Sequence, residues 1–320
     1  MNAAPLDYLD YYLAPLQPFL ADAGVSDIFI NRPGEIWVER LGGEIGCVRV
    51  PELDSDHLHR FSRQVAAHSS QGLSRTYPLI SATLRGGARI QIVIPPAALD
   101  HVAIAIRCHR AMALPLSAYQ LDPGLREAGV AADVSGAATF LAHAVKRRLN
   151  IVISGGTSSG KTTLLNSLLR EIPPNERLIT IEDAPELQPG HENAVRLIAT
   201  RGGRGEAQVT PNDLLEAALR MRPDRILLGE LRGVEAYTFL RATNTGHPGS
   251  MTTIHADSPD GALSQLTMMI LQGAQNLDYD NAYKLVSNMV DVVVQVARHA
   301  GRRSITAIVP VKAGITVPAI

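Results

Sequence analysis

Residues 155 to 163, Gly-Gly-Thr-Ser-Ser-Gly-Lys-Thr-Thr, carry the plainest chemistry in the sequence. Gly155, four residues, then Gly160-Lys161-Thr162 is the spacing of a phosphate-binding loop. Gly155, Gly156 and Gly160 let backbone N–H groups turn inward toward phosphate oxygens, with Thr157, Ser158 and Ser159 between them. Lys161 supplies a mobile cation and the Thr162 hydroxyl is a ligand for Mg²⁺. Thr163 continues into TLLNSLL, a helix whose N-terminal dipole favours an anion. The loop therefore implies a nucleoside triphosphate.

Hydrolysis needs more: acids to hold the metal and a group to orient or activate the attacking water. Glu182, Asp183 and Glu230 stand at the ends of predicted parallel strands, where ligand sites in such sheets lie. Glu230 follows a mostly apolar run, with Gly229 where an aspartate often stands. Glu230 is assigned to the Mg²⁺–water network, and Glu182 is both a further acid on the metal side and its rival as the base. The stretch 245–256, TGHPGSMTTIHA, adds two histidines eight apart, His247 and His255. A neutral His255 can contact the γ-phosphate or its water and report its loss. His57, His59 and His68 read as surface residues, and the basic clusters Lys146-Arg147-Arg148 and Arg201 to Arg204 as solvated faces or phosphate contacts rather than DNA-binding patches. No guanine-reading Asn-Lys-x-Asp segment occurs, which argues against a switch GTPase.

The elements that position these groups fall into two sets. At 320 residues the chain is long for one core. Leucines 9, 13, 16 and 20 recur at helical intervals in a segment that Pro15 and Pro18 should kink. Residues 27–31 and 35–41 read as a hairpin around Arg-Pro-Gly, Ser55 to His68 as an amphipathic helix, and 79–94 as a second hairpin with a glycine turn. A strand at 102–107 completes an α+β domain over residues 1–110, in which Trp37, the single tryptophan, is read as a packing residue. Residues 111–132, with Pro123-Gly124, are read as the linker. From 133 to 320 strands and helices alternate, as a mainly parallel α/β sheet requires, and 291–311 reads as a closing antiparallel hairpin. Thr210-Pro211-Asn212-Asp213 is a helix start with a capping box.

Composition narrows the class. A net charge of −1 gives no sign of nucleic-acid binding. No apolar run reaches the ~20 residues that span a bilayer, and the N-terminus is acidic where a signal peptide is basic. A cytoplasmic enzyme fits.

Four motifs in order, GGTSSGKTT (155–163), ITIEDAPEL (179–187), RMRPDRILLGELRG (220–233) and TGHPGSMTTIHADSP (245–259), resemble the secretion-traffic ATPases. In that family they are the Walker A loop, Asp box, Walker B strand and His box. The N-terminal SATLRGGARIQIVIPP and AIAIR resemble the family's sensor-like domain, so the likeness covers nearly the whole chain. Within the family, GELRGVEAYTFLRATNTGHPGS is most similar to the type IV secretion and conjugal transfer ATPase. Two cysteines, Cys47 and Cys108, cannot make the tetracysteine zinc element usual in pilus and type II secretion members. The resemblance implies a RecA-like ATPase domain behind the sensor-like domain, ATP and Mg²⁺ as ligands, and a ring-shaped homohexamer at the cytoplasmic face of the inner membrane. It also implies that Arg89 and Arg107 reach nucleotide phosphates from the N-terminal domain. A pilus-retraction or type II secretion motor, or a slowly hydrolysing assembly scaffold, is the alternative.

Overall fold

The computed structural model describes residues 8–41, 43–108, 114–121, 134–199, 209–274, 276–299 and 302–312. They divide into two compact units, one ending at 108 and one beginning at 114.

The first unit opens on α1 (Tyr8–Leu13), a 3-10 turn (Ala14–Leu16) and α2 (Gln17–Ala21). The break comes where Pro15 and Pro18 withhold backbone N–H groups. Then come β1 (Val25–Ile30), β2 (Glu35–Arg40), β3 (Ile45–Arg49), α3 (Ser55–His68), β4 (Leu79–Thr83), β5 (Arg89–Val93) and β6 (Ala103–Arg107). The strands form one antiparallel sheet in the order β3-β2-β1-β6-β5-β4. Its buried face carries Ile28, Ile36, Ile90, Ile92 and Ile104, which share a core with Leu58, Phe61 and Val65 of α3. Asp54 caps α3 by accepting from the His57 N–H at 2.7 Å. β3 is a strand that the sequence reading does not include; every residue of it is exposed, and it is held by pairing with β2. Trp37 is 37% exposed, because alternation along β2 buries Ile36 and Val38 and turns the indole to the other face.

The second unit has Leu116–Ala118 as a 3-10 turn, then β7 (Gln120–Leu121), α4 (Val134–Lys146), β8 (Ile151–Ser154), α5 (Lys161–Leu169), β9 (Leu178–Glu182) and β10 (Ala194–Ile198). It continues with α6 (Pro211–Ala218), β11 (Arg225–Leu228), α7 (Glu235–Asn244), β12 (Met251–Ile254), α8 (Pro259–Gly273), α9 (Tyr279–Met289), β13 (Val292–His299) and β14 (Arg302–Pro310). The sheet order is β10-β9-β11-β12-β8-β13-β14-β7, parallel from β10 through β13. Helices cover both faces: Ile151 and Ile153 face α4 and α5, while Val152 faces α6 to α9. That is why β8, β11 and β12 are buried along their whole length. The Thr210–Asp213 capping box is present in both directions. The linker reading must be shortened: Leu116 and Tyr119 are buried in this unit's core and Gln120–Leu121 pair with β14. The rest of that segment, the Arg201 to Arg204 cluster and the chain beyond 312 lie outside the described residues.

Candidate functional site

The phosphate-binding loop joins the buried end of β8 to α5. A Cβ on Gly155 would fall 2.4 Å from the Val296 carbonyl oxygen and 2.6 Å from Ser159 Oγ, so any side chain is excluded there. Gly160, the residue that turns the loop into the helix, has φ +98°, a conformation glycine adopts without strain. Ser158 is exposed and holds φ +59° between exposed Thr157 and buried Ser159. Ser159 Oγ donates to the Gly156 carbonyl at 2.8 Å. Thr157 is exposed, Thr162 half-buried and Thr163 buried at the start of α5.

Lys161 is buried and donates to the carbonyls of Gly155 and Gly156, both at 2.8 Å. Its Nζ also lies 3.3 Å from His255 Nδ1. His255 Nε2 in turn lies 2.6 Å from Glu230 Oε1. This close contact lacks hydrogen-bond alignment, so Oε1 is a buried carboxylate oxygen with unused acceptor capacity. Glu230 Oε2 accepts from Arg232 Nε at 2.8 Å, and Arg232 reaches Asp183 at 3.8 Å. Three strands thus deliver Lys161, His255 and Glu230 to one place. β11 and β12 are parallel neighbours with Leu227 opposite Met251, so residues just past their ends meet. Ser154 and Gln295 both donate to the Ala256 carbonyl, at 3.3 and 3.2 Å, and fix the backbone beside His255. Arg232, Ser154 and Gln295 were not singled out from sequence. The one signal for Arg232 was a cation two residues after a strand-end acid.

Glu182 stands apart from this chain of contacts. Its Oε1 accepts from the N–H groups of Glu186 and Leu187 at 2.7 and 2.6 Å, and Oε2 lies 3.9 Å from Arg196. Gly229 passes beside it; a Cβ there would be 3.4 Å from Glu182 Cγ. Burial pushes its pKa up to about 7, against the opposing pull of those two N–H groups and Arg196. A carboxyl whose folded pKa is raised costs nothing at low pH, where both states are protonated. The cost grows as pH rises from about 4.5 to about 7 and is then constant, about 3 kcal/mol for this shift. Glu182→Gln should remove that pH-dependent loss in nucleotide-free protein. Urea unfolding from pH 4 to 8 checks it: the difference between variant and wild type should grow through this window, and a flat difference contradicts the buried-acid reading.

His247 does not join His255. Its Nδ1 lies 2.9 Å from the Pro223 carbonyl oxygen, at the opposite end of β12. In the first unit, Arg89 and Arg107 are direct register partners across β5 and β6, on the sheet face opposite the core. Arg107 is also opposite Asp27 and donates to its Oδ1 at 3.0 Å. Among the described residues no cluster of three or more His, Cys, Asp or Glu is arranged to hold a metal ion, and no helix is long and apolar enough to cross a membrane.

Residues 11–310 match the family model described as type II/IV secretion system protein. The type IV secretion system protein VirB11 of Bartonella quintana is 40% identical, covering 92% of this chain and 91% of its own length. PtlH of Bordetella pertussis, also a type IV secretion system protein, is 40% identical with the same coverage. The crystal structure of the VirB11 ATPase from the Brucella suis type IV secretion system, in complex with sulphate, is 37% identical, covers 94% of both chains and superposes with a TM-score of 0.51.

Proposed function

Because the chain belongs to the type II/IV secretion system protein family, we propose that it is the ATPase that powers substrate transfer or pilus assembly in a type IV secretion system. Its chemistry is ATP hydrolysis on the phosphate loop. The observation that carries the reading is the contact chain from Lys161 through His255 to Glu230 beside that loop. The loop N–H groups and the α5 dipole receive the phosphates. Lys161 exchanges its contacts with Gly155 and Gly156 for γ-phosphate oxygens, which places a cation where charge spreads in the transition state. Glu230 Oε1 accepts from the attacking water, and the hydrogen bond from Arg232 to Oε2 keeps the carboxylate aimed. His255, between cation and acid, senses whether the γ-phosphate is there.

The residues present fit Mg²⁺. A half-buried Thr162 hydroxyl and a buried, under-used Glu230 oxygen suit an ion that keeps most of its ligands as water and phosphate. When bound it neutralises developing charge on the phosphates. Glu182, tied by the Glu186 and Leu187 N–H groups and only partly ionised near pH 7 in the absence of ligand, is given a structural or second-rank part, and Glu230 is preferred as the base because its free oxygen stands in the contact chain beside the loop.

Arg89 and Arg107 are proposed as phosphate contacts from the first unit. As register partners they place two forked guanidinium donors on the same outer face of the sheet, a geometry suited to phosphate oxygens. A homohexameric ring on the cytoplasmic face of the inner membrane, working with the secretion system's membrane components, completes the proposal.

The test uses the intact chain. Light scattering with ATP and magnesium should give about six times 34.4 kDa. Glu230→Gln should bind ATP with wild-type affinity yet turn it over about 10²-fold more slowly, as expected on losing a general base. Arg89→Ala should slow turnover and keep its fold. A monomer under all nucleotide conditions defeats the ring, and full turnover in Glu230→Gln moves the base role to Glu182.

A further inference from the structure

We infer that Arg303 is a nucleotide-binding residue that grips the α-phosphate and nucleoside end of the ATP held by the phosphate loop. The inference rests on the reading of the loop as an ATP site and extends it to a residue in the closing hairpin. β13 pairs with β8 only from Val292 to Gln295, so Val296 to His299 overhang the end of β8 beside the loop. β14 begins against that overhang, with Arg303 opposite Arg298. From there the Arg303 side chain crosses the loop's last glycine: a Cβ on Gly160 would lie 2.6 Å from Arg303 Cδ and 2.9 Å from Nε. The guanidinium therefore stands at the N-terminal end of α5.

Electrostatically this is an odd place for a cation. The helix N-terminus is the positive end of its dipole, Arg298 is the direct cross-strand partner, and Lys161 is the next residue after Gly160. Among the described residues no carboxylate pairs with Arg303. That leaves the Arg303 guanidinium beside a loop whose glycines and helix N-terminus suit a polyphosphate.

Sheet order says which part of the nucleotide it would meet. Across the sheet run β11, β12, β8, β13 and β14. Glu230 and His255 follow β11 and β12, on one side of the loop, and they are the groups assigned to the γ-phosphate. Arg303 is on the other side, so a triphosphate lying across the loop turns its α-phosphate and nucleoside toward β14. An arginine suits both, with forked donors for phosphate oxygens and a flat face for a base.

Arg303→Met separates charge from packing, because its unbranched stem still covers Gly160. Affinities for ATP, ADP and inorganic pyrophosphate would be measured by calorimetry on intact protein, with melting temperature as the fold check. Removing a charge-assisted contact of this kind should weaken ATP and ADP about tenfold and leave pyrophosphate unchanged. Arg303→Lys should recover part of the loss, and Arg170→Ala at the far end of α5 should bind normally. Unchanged ADP affinity in Arg303→Met overturns the inference while leaving the ATP site intact. An equal loss for pyrophosphate overturns it too, because the loop itself would then have been disturbed. If wild-type protein binds none of the three, the ATPase reading fails first.

Discussion

Lys161→Ala should lower ATP turnover about 10³-fold, the upper range for removing one charged donor aimed at a developing anion. The side chain is buried and has two sets of contacts, loop carbonyls on one side and His255 on the other. Alanine deletes the only ammonium in the contact chain that ends at Glu230, so Glu230 and His255 remain but no longer face a fixed cation. The loss should appear in the chemical step more than in affinity, since the backbone N–H groups and the α5 dipole still bind phosphate. Single-turnover hydrolysis, measured with ATP affinity, is the check. Because Lys161 also ties the Gly155 and Gly156 carbonyls together, Lys161→Arg is a useful companion: it keeps the charge but changes its geometry, and should restore little activity. Turnover within twofold of wild type in Lys161→Ala would remove the lysine from the mechanism.

The largest stability effect is expected far from the loop, at Arg225→Ala, with a loss of about 3 to 5 kcal/mol. Arg225 is completely buried at the start of β11 and donates to both oxygens of Glu176, at 2.6 and 2.9 Å, and to the Val145 carbonyl at 2.8 Å. It thereby joins α4, the turn before β9 and the loop at Gly249, where the backbone holds φ +81° and a Cβ would lie 2.7 Å from Nη1. Burial pushes the Glu176 carboxyl up, but hydrogen bonds from Arg225 and the charges of Arg225 and Arg148 more than offset this and hold it below the usual range. Alanine would leave that carboxylate buried with only Arg148, at 3.4 Å, for partial compensation. For a unit of this size the drop in melting temperature should be about 10 °C. The sign of the pH dependence is also fixed. In wild type the depressed pKa contributes stability above the unfolded value and loses it as pH falls; in the variant Glu176 is better accommodated when protonated. The deficit should therefore be largest near neutrality and shrink below about pH 4. A deficit under 1 kcal/mol, or one that grows on acidification, would show that the pair does not brace the sheet.

Neither effect could be sized from sequence alone, and the reason differs between them. The phosphate loop is local. Strand, glycines, lysine and helix are contiguous, so their spacing alone dictates which backbone groups converge, and the loop from Gly155 to Thr163 was legible at once. The amphipathic face of α3, the capping box at Thr210 and the buried runs of β8, β11 and β12 were legible for the same reason: each depends on neighbours within a few residues. Membership of the secretion-ATPase family followed from four such local motifs in order. Contacts that depend on strand order were not legible. His255 meets Glu230 because β12 inserts between β8 and β11, a placement that no period in either segment encodes. The same insertion parts His247 from His255 by the length of a strand, although eight residues separate them in sequence. Arg225 reads as an ordinary charged residue before an apolar run until the fold closes Glu176 onto it. Arg303 lies more than a hundred residues beyond Gly160, and only the pairing of β13 beside β8 brings the two together. Local physics chose the elements and the phosphate loop; the long-range register of a parallel sheet decided which charges face one another.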